Sequence, residues 1–163
     1  MELYLLRHGE AVEQGYSDFD RPLTPLGETR VRMVGHSLVA MGLRPDKVLT
    51  SPLVRAKQTA ALVVEESKST VEIVETSNLI VGTDPMLLVD ELNREPEESS
   101  ILLVGHEPFL GMLISLLVFG SAAGRVTLKK TGLGCVEVAK PVGPGSGSLR
   151  SLLTFKQMEI MRG

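Results

Sequence analysis

The chain alternates between short unbroken apolar runs and stretches in which apolar residues recur at helical spacing. The short runs favour strands buried inside a sheet, and they lie at Leu3–Leu6 and Ile101–Val104, with a further predicted strand between them at Lys47–Thr50. Between the first and second predicted strands, apolar side chains recur as they would on the buried face of a helix, at Val31, Val34, Leu38 and Met41. This alternation predicts a mostly parallel sheet with helices on both faces.

Capping residues indicate where the helices begin and end. Thr24–Pro25 has the N-cap and first-position residues of a helix that Gly42 ends. Ser51–Pro52 predicts a second helix start of the same kind, with the helix continuing to about Glu66. The same reasoning predicts a strand at Val71–Glu75, a helix from Asp84–Pro85 to about Asn93, and a helix begun by Pro108 that covers Phe109–Phe119.

The C-terminal third has a different pattern. Leu133–Ala139 and Leu149–Phe155 are predicted strands, and a glycine- and proline-rich joint at residues 141–147 connects them. They predict a hairpin at one edge of the sheet. Lys156–Gly163 is either a frayed end or a last helical turn. The predicted fold is a three-layer α/β/α sandwich formed by residues 1–163 as a single domain.

Composition narrows the class of protein. With 163 residues, 43% of them apolar and 23% charged, the chain resembles an ordinary soluble globular domain. Its net charge of −3 gives no indication of a nucleic-acid or anionic-membrane partner. Met1–Glu2 leads straight into the first strand without a basic leader, so a cytoplasmic protein is expected. His106, Glu107 and Pro108 interrupt the longest apolar stretch, which argues against a membrane span.

Two other side chains receive structural interpretations. Cys135 is the single cysteine, which excludes an intrachain disulfide and fits a reducing compartment. Because it lies in a predicted strand, it is expected to pack as a small buried residue rather than act as a nucleophile. His36 lies inside the first helix, away from any strand end, and is expected to be solvated.

Chemically active side chains follow three of the predicted strands. Arg7 and His8 come after Leu3–Leu6, Arg55 follows Lys47–Thr50 in the first turn of a helix, and His106 follows Ile101–Val104. In an open α/β sheet, ligands bind where the carboxyl ends of the strands meet. These four side chains are therefore predicted to form one site that holds a phosphoryl group.

The residue types suit phosphoryl transfer. Arg7 and Arg55 can pair with phosphate oxygens through planar guanidinium groups that keep their charge. A neutral imidazole, His8 or His106, can attack phosphorus to form a phosphohistidine that water later removes. Spacing alone does not choose between the two. Gly9 lets the backbone approach a ligand, and His106 precedes a helix N-terminus suited to an anion. This context favours His8 as the nucleophile.

A metal site is the competing interpretation of the same segments. His8, His106, Glu10 and Glu107 are all residue types that bind metal ions. The adjacent arginines count against it because their fixed positive charge repels a cation. We therefore expect no metal and no cofactor. A phosphate-binding module without catalysis is a further alternative, although binding alone would not require His8.

Four motifs resemble the histidine phosphatase, or phosphoglycerate mutase-like, superfamily, whose signature is Arg-His-Gly after the first strand. They lie at Leu5–Glu10, Leu23–Gly27, Ser51–Ala60 and Val104–Pro108. The resemblance implies a phosphoglycerate mutase-like fold in which His8 is phosphorylated. It also implies that Arg7, Arg55 and His106 bind the phosphoryl group. Gly9, Arg21 and Asp18 are further candidates for binding substrate.

The short length is similar to the SixA-type phosphohistidine phosphatases, which remove phosphate from histidine on signalling proteins. The acidic proton donor that larger members carry in an insertion after the second helix has no counterpart in this sequence. A leaving alkoxide needs such an acid, whereas imidazole leaves readily once its other nitrogen is protonated. Asp18, Asp20 and Glu10 are the remaining candidates for handling protons.

The resemblance therefore implies hydrolysis of phosphohistidine on a signalling protein. The alternative is a broad-specificity phosphomonoesterase or mutase of the same superfamily, acting on a small phosphorylated substrate.

Overall fold

A six-stranded sheet runs through the computed structural model, which describes residues 1–124 and 126–161. The strands are β1 Glu2–Arg7, β2 Lys47–Thr50, β3 Ile73–Glu75, β4 Ser100–Gly105, β5 Leu133–Val138 and β6 Gly147–Leu153. The helices are α1 Pro25–Ala40, α2 Val54–Glu66, α3 Pro85–Leu92, α4 Phe109–Phe119 and α5 Phe155–Met161, with a short 3-10 turn at Ser77–Leu79.

The strand order is β3-β2-β4-β1-β5-β6. The first four of these strands are mutually parallel, and β5 and β6 form an antiparallel hairpin at the edge beside β1. This confirms the predicted mostly parallel sheet with a C-terminal hairpin. In the central pair, Arg7 of β1 lies opposite Gly105 of β4. The next residue of each strand, His8 and His106, therefore leaves the sheet beside the other.

Side chains alternate between two separate hydrophobic layers. Leu3 and Leu5 of β1 pack on the face covered by α3 and α4. Tyr4 and Leu6 pack on the face covered by α1, α2 and α5. Because β1 and β4 are buried on both faces, their sequences are continuously apolar. The three-layer α/β/α arrangement is confirmed.

Several element boundaries differ from the prediction. The second helix begins at Val54 and has Leu53 as its N-cap, without a side-chain cap. The prediction of Ser51 as cap and Pro52 as first residue was wrong: the Ser51 hydroxyl accepts from the Leu53 amide at 3.4 Å in the turn before α2, and it also bonds to another strand end, as described below. The third strand is shorter than expected, at Ile73–Glu75.

The final predicted strand extended too far. β6 ends at Leu153, and Phe155 starts α5 instead of finishing a strand. Thr154 and Gln157 bond reciprocally: the Thr154 amide donates to Gln157 Oε1 at 2.8 Å, and the Gln157 amide donates to Thr154 Oγ1 at 3.4 Å. This capping box forces the change from strand to helix. Of the tail, residues 156–161 are helical, and residues 162 and 163 lie outside the described residues.

Across the part of the chain that the structure describes, every helix is too short or too polar to span a bilayer.

Candidate active site

Three neighbouring strands end at one place. β1 leads into His8, β4 leads into His106 and β2 leads into Ser51, while α2 carries Arg55 in its first turn. The His8 and His106 rings lie with their centroids 5.0 Å apart and tilted by 58°. Both rings are buried, with exposed fractions of 8% and 2%. The structure therefore brings the predicted histidines together at the carboxyl edge of the sheet.

The partners of His8 determine which of its ring nitrogens carries the proton. Nδ1 lies 2.6 Å from the carbonyl oxygen of Gly9, and a carbonyl only accepts, so Nδ1 is the donor. Nε2 then holds a lone pair, to which Arg55 Nε donates at 3.3 Å. Burial lowers the pKa of His8 to about 3, and the nearby His106, Arg55 and Arg7 act in the same direction. The imidazole is therefore neutral near pH 7.

Arg55 is a buried cation held by a loop. Its Nη1 donates to the Asp18 carbonyl at 2.6 Å, and its Nη2 approaches Asp18 Oδ2 at 3.4 Å. The same loop is fixed to α2 by the Val54 amide, which donates to the Phe19 carbonyl at 3.1 Å. Because all three of its nitrogens donate hydrogen bonds, to His8 and to Asp18, the guanidinium has a defined orientation beside the His8 ring.

His106 and Arg7 each leave one buried nitrogen without a partner. His106 Nε2 lies 2.8 Å from Ser51 Oγ, and Arg7 Nη1 donates to the Leu128 carbonyl at 2.8 Å. His106 Nδ1 and Arg7 Nε are the buried side-chain nitrogens or oxygens that lack a hydrogen bond within the described residues. Buried polar atoms are normally paired. Two exceptions at one place indicate a site built for a ligand with hydrogen-bond acceptors.

Burial also affects the protonation of His106. It lowers the pKa of His106 to about 4, and Arg55 contributes in the same direction. Both imidazoles are therefore neutral near pH 7, beside two guanidinium groups. The positive charge of the site comes from the arginines, and the histidines supply a lone pair and a neutral hydrogen-bonding group.

The acidic candidates lie in different places. The Asp18 carboxylate accepts hydrogen bonds from Arg21 at 2.6 and 3.1 Å and reaches Arg55. The hydrogen bond from Arg21 holds the pKa of Asp18 below its ordinary value. Asp20 accepts from the Ser17 hydroxyl at 2.6 Å, and Glu10 Oε2 lies 3.7 Å from Arg30. Asp18 is thus the acid that reaches Arg55, and it is ionised there.

The alternative metal cluster does not assemble. Glu107 Oε1 accepts from the Leu128 amide at 2.8 Å, and burial raises the pKa of Glu107. Glu10 lies beside Arg30 at the start of α1. Residues 1–124 and 126–161 contain no group of three or more His, Cys, Asp or Glu side chains placed to hold a metal ion.

Sequence reasoning assigned no role at the site to two buried hydroxyl groups. Thr59 Oγ1 accepts from the Gly9 amide at 3.1 Å and donates to the Arg55 carbonyl at 2.7 Å, which ties the His8 loop to α2. Ser51 orients His106. Thr59 lies on the buried face of a helix, where a polar residue is a detectable signal. Gly9 is packed closely, since a Cβ there would lie 2.7 Å from Val31 Cγ2.

The two side chains with structural interpretations, His36 and Cys135, lie outside the site. His36 is exposed on α1, with Nε2 3.0 Å from Glu66 Oε2, as its helical position predicted. Cys135 is half-buried in β5. Burial raises the pKa of its thiol, which disfavours the reactive thiolate.

Comparisons with known proteins agree with the fold and the motifs. The sequence profile of the histidine phosphatase superfamily (branch 1) matches residues 3–80. An uncharacterized protein of Picosynechococcus is 34% identical over 142 residues, which cover 82% of each chain. The phosphohistidine phosphatase SixA of Escherichia coli is 29% identical over 148 residues, which cover 82% of this chain and 89% of SixA.

A solved structure supports the same relationship. The protein histidine phosphatase SixA complexed with tungstate matches with a TM-score of 0.85 and 25% identity, over 96% of this chain and 98% of that one. Similarity of sequence and of fold thus extends well beyond the residues of the site. The chain belongs to the histidine phosphatase superfamily and is of the SixA type.

Proposed function

We propose that this protein hydrolyses protein-borne phosphohistidine through a covalent phospho-His8 intermediate. Membership of the superfamily supports a hydrolase that acts on phosphoryl groups. The observation that carries the finer proposal is the pair of unpartnered buried nitrogens, Arg7 Nε and His106 Nδ1, beside the neutral His8 ring. A similar SixA structure is complexed with tungstate, which is also a tetrahedral oxyanion.

The phosphoryl group would be held by three side chains. Arg7 Nε and the Arg55 guanidinium offer charged donors to the equatorial oxygens, which become more negative in the transition state. His106 Nδ1 becomes a third donor when the Ser51 hydroxyl donates to Nε2 and so leaves the proton on Nδ1. The whole chain carries a net charge of −3, so the attraction for the phosphoryl group is local.

His8 Nε2 is the proposed nucleophile. When substrate binds, Arg55 Nε transfers its hydrogen bond from the lone pair of this nitrogen to a phosphoryl oxygen. The lone pair attacks phosphorus, the bond from phosphorus to the substrate nitrogen breaks, and the electron pair of that bond stays on the leaving imidazole. The Gly9 carbonyl fixes the reactive tautomer and stabilises the positive charge that develops on the His8 ring. Water then attacks the phosphorus of phospho-His8, the bond from phosphorus to Nε2 breaks and returns its electron pair to Nε2, and inorganic phosphate leaves.

The ionised state of Asp18 favours a nitrogen leaving group over an alkoxide. An alkoxide needs a positioned proton donor. Asp18, the acid that reaches Arg55, has its pKa lowered by the hydrogen bond from Arg21 and is ionised near pH 7. Imidazole requires less assistance because its second nitrogen takes up a proton from solvent. This supports phosphohistidine as the substrate rather than a phosphomonoester.

The decisive experiment traps the intermediate. Enzyme is mixed briefly with a ³²P-phosphohistidine protein and quenched in alkali, which preserves phosphohistidine. We expect label on the wild-type chain, none on His8→Ala, and wild-type labelling of His36→Ala. His36 is a matched control because it is exposed on α1, away from the site. Near-normal turnover by His8→Ala would contradict the covalent route.

Substrate class is tested separately. Turnover of the phosphohistidine protein is compared with turnover of sugar phosphates and phosphoglycerates under the same conditions. We expect kcat/KM to be larger for the phosphohistidine protein. A much larger value for the small esters would favour the alternative of a broad-specificity phosphomonoesterase or mutase.

A further inference from the structure

A basic pocket lies beside the candidate site, on the opposite side of β1 from β4. This cavity has a volume of about 270 Å³. The residues that line the basic pocket are Arg30, Lys129, Lys130, Thr154, Phe155 and Lys156. Four of its six lining residues are cationic, in a chain whose net charge is −3. Such a concentration of one sign of charge in an acidic protein indicates a surface that attracts anions.

The basic pocket and the candidate site share backbone. The Leu128 carbonyl accepts from Arg7 Nη1 at 2.8 Å, and the Thr131 amide donates to the His8 carbonyl at 3.3 Å. Lys129 and Lys130 lie between these two contacts. A polypeptide that places a phosphohistidine against His8 and continues toward β5 would therefore meet the turn that carries both lysines.

The lysines are available for an external partner. Lys129, Lys130 and Lys156 are exposed, and no carboxylate of the described residues lies within ion-pair distance of them. Arg30 differs, because its guanidinium lies over the Phe155 ring at 5.5 Å and 3.7 Å from Glu10. Arg30 is thus held in place at one side of the basic pocket by Phe155 and Glu10. The three lysines supply positive charge that is not paired with a carboxylate of the described residues.

The turn that presents the lysines is held rigidly. The Gly132 amide donates to the Lys129 carbonyl at 2.8 Å, and the Arg7 amide donates to the Gly132 carbonyl at 3.0 Å. Thr131 is buried with a left-handed backbone at φ 56°, and its hydroxyl donates to the Lys130 carbonyl at 2.6 Å. The backbone that carries the two lysines is therefore set before a partner binds.

We infer that the basic pocket binds acidic side chains that flank the phosphohistidine of a substrate protein. The inference rests on the proposed function and adds a substrate class to it: an acidic protein surface. An anionic membrane is disfavoured, because the net charge of −3 opposes approach of the whole molecule, whereas a protein segment needs to contact only the pocket.

The test uses two phosphohistidine peptides of equal length, flanked by glutamates or by glutamines, and a small phosphoramidate, phosphoimidazole. The variant is Lys129→Glu/Lys130→Glu. The matched control is Arg44→Glu/Lys68→Glu, which makes the same charge change on exposed residues at the far end of the sheet. Turnover gives kcat and KM, and anisotropy of the unphosphorylated peptides gives binding without chemistry.

For the wild-type protein, we expect tighter binding and a lower KM for the glutamate peptide, with a preference that weakens as salt screens the charges. The Lys129→Glu/Lys130→Glu variant should raise that KM by about tenfold, since two surface ion pairs contribute about that much together. Its kcat/KM for phosphoimidazole should stay at the wild-type value, which also shows that it folds. The Arg44→Glu/Lys68→Glu control should keep the preference.

The outcomes separate the two proposals. Hydrolysis of both peptides with equal KM would contradict the inference that the basic pocket binds acidic side chains, and it would leave the proposed function supported. Preferential binding of the glutamate peptide without hydrolysis would support the pocket and contradict the proposed function. Equal binding of the two peptides, together with lysine-dependent binding to phosphatidylglycerol vesicles, would overturn the inference in favour of a membrane.

Discussion

At the scale of single residues, burial controls the chemistry of the candidate site. Removing His8 and His106 from water lowers the pKa of each and keeps the rings neutral. A neutral imidazole with a protonated Nδ1 is the form that has a nucleophilic Nε2. Arg55 keeps its charge under the same burial, as guanidinium groups do in proteins. Similar surroundings therefore leave the histidines neutral and the arginines cationic.

Ser51 is predicted to be a positioning residue. Ser51→Ala removes the hydroxyl that lies 2.8 Å from His106 Nε2, so the ring can rotate away from its productive orientation. We expect kcat to fall by about tenfold or more, because small displacements of reacting groups are costly. The ¹⁵N spectrum of His106 should show a changed ratio of tautomers, and Ser51→Thr should restore both measurements.

Ser67→Ala is the matched control for Ser51, since its hydroxyl donates to the Val64 carbonyl at the far end of α2. It should leave both kcat and the His106 spectrum at wild-type values. An unchanged spectrum in Ser51→Ala would show that the hydroxyl does not orient the ring.

At the scale of elements, the site depends on how closely α1 approaches the loop after β1. The Thr24 amide donates to the Glu10 carbonyl at 2.9 Å, and the Thr24 hydroxyl accepts from the Gly27 amide at 3.0 Å. A Cβ on Gly27 would lie 2.1 Å from the Glu10 carbonyl oxygen. The helix therefore approaches the chain just beyond His8 and Gly9 more closely than any other residue type would allow.

Gly27→Ala is expected to destabilise the protein despite the higher helix propensity of alanine. Propensity alone would stabilise by about 1 kcal/mol, but the overlap with Glu10 should cost roughly 1–3 kcal/mol net. Urea denaturation measures the free energy of unfolding. Turnover should also fall because the displaced segment continues into His8.

The control for Gly27 is Gly143→Ala, where nothing lies within 4 Å of an added Cβ. Its free energy of unfolding should stay within about 0.5 kcal/mol of the wild type. If Gly27→Ala proved as stable as Gly143→Ala, the close approach of α1 would not be required.

At the scale of the whole molecule, the two buried histidines connect global stability to pH. Folding moves the pKa of His8 from 6.5 to about 3 and that of His106 from 6.5 to about 4. Between those values the unfolded chain binds more protons than the folded one. Acid therefore favours unfolding in this range.

The free energy of unfolding should fall as pH decreases from about 6.5 to about 4. Each histidine contributes a slope of up to about 1.4 kcal/mol per pH unit. His106→Gln, which does not titrate, should give a shallower slope in urea denaturation across this range. Carboxylates contribute equally to both proteins, so the difference in slope isolates the histidine.

Ser67→Ala serves as the control because it changes no titratable group and lies at the far end of α2. Its slope should match that of the wild type. A His106→Gln slope as steep as the wild-type slope would mean that burial of His106 does not disfavour its charged form.

Much of the fold could be predicted because its signals are local. Apolar runs predicted β1 and β4, and Thr24–Pro25 predicted the start of α1, since period and capping depend on neighbouring residues. Failures occurred where two local signals competed. Phe155 continued an apolar pattern typical of a strand, but the capping box of Thr154 and Gln157 began a helix there.

By itself, the sequence determined the elements, the superfamily motifs and the delivery of His8 and His106 to strand ends, because each follows from residues adjacent in the chain. Only the tertiary structure decided that Ser51, in the turn before α2, bonds to His106, 55 positions away. It also decided the tautomer of His8, the bond between Asp18 and Arg55, and the location of Lys129 beside the site. These properties depend on burial and on partners that are distant along the chain, and neither exists before the sheet has formed.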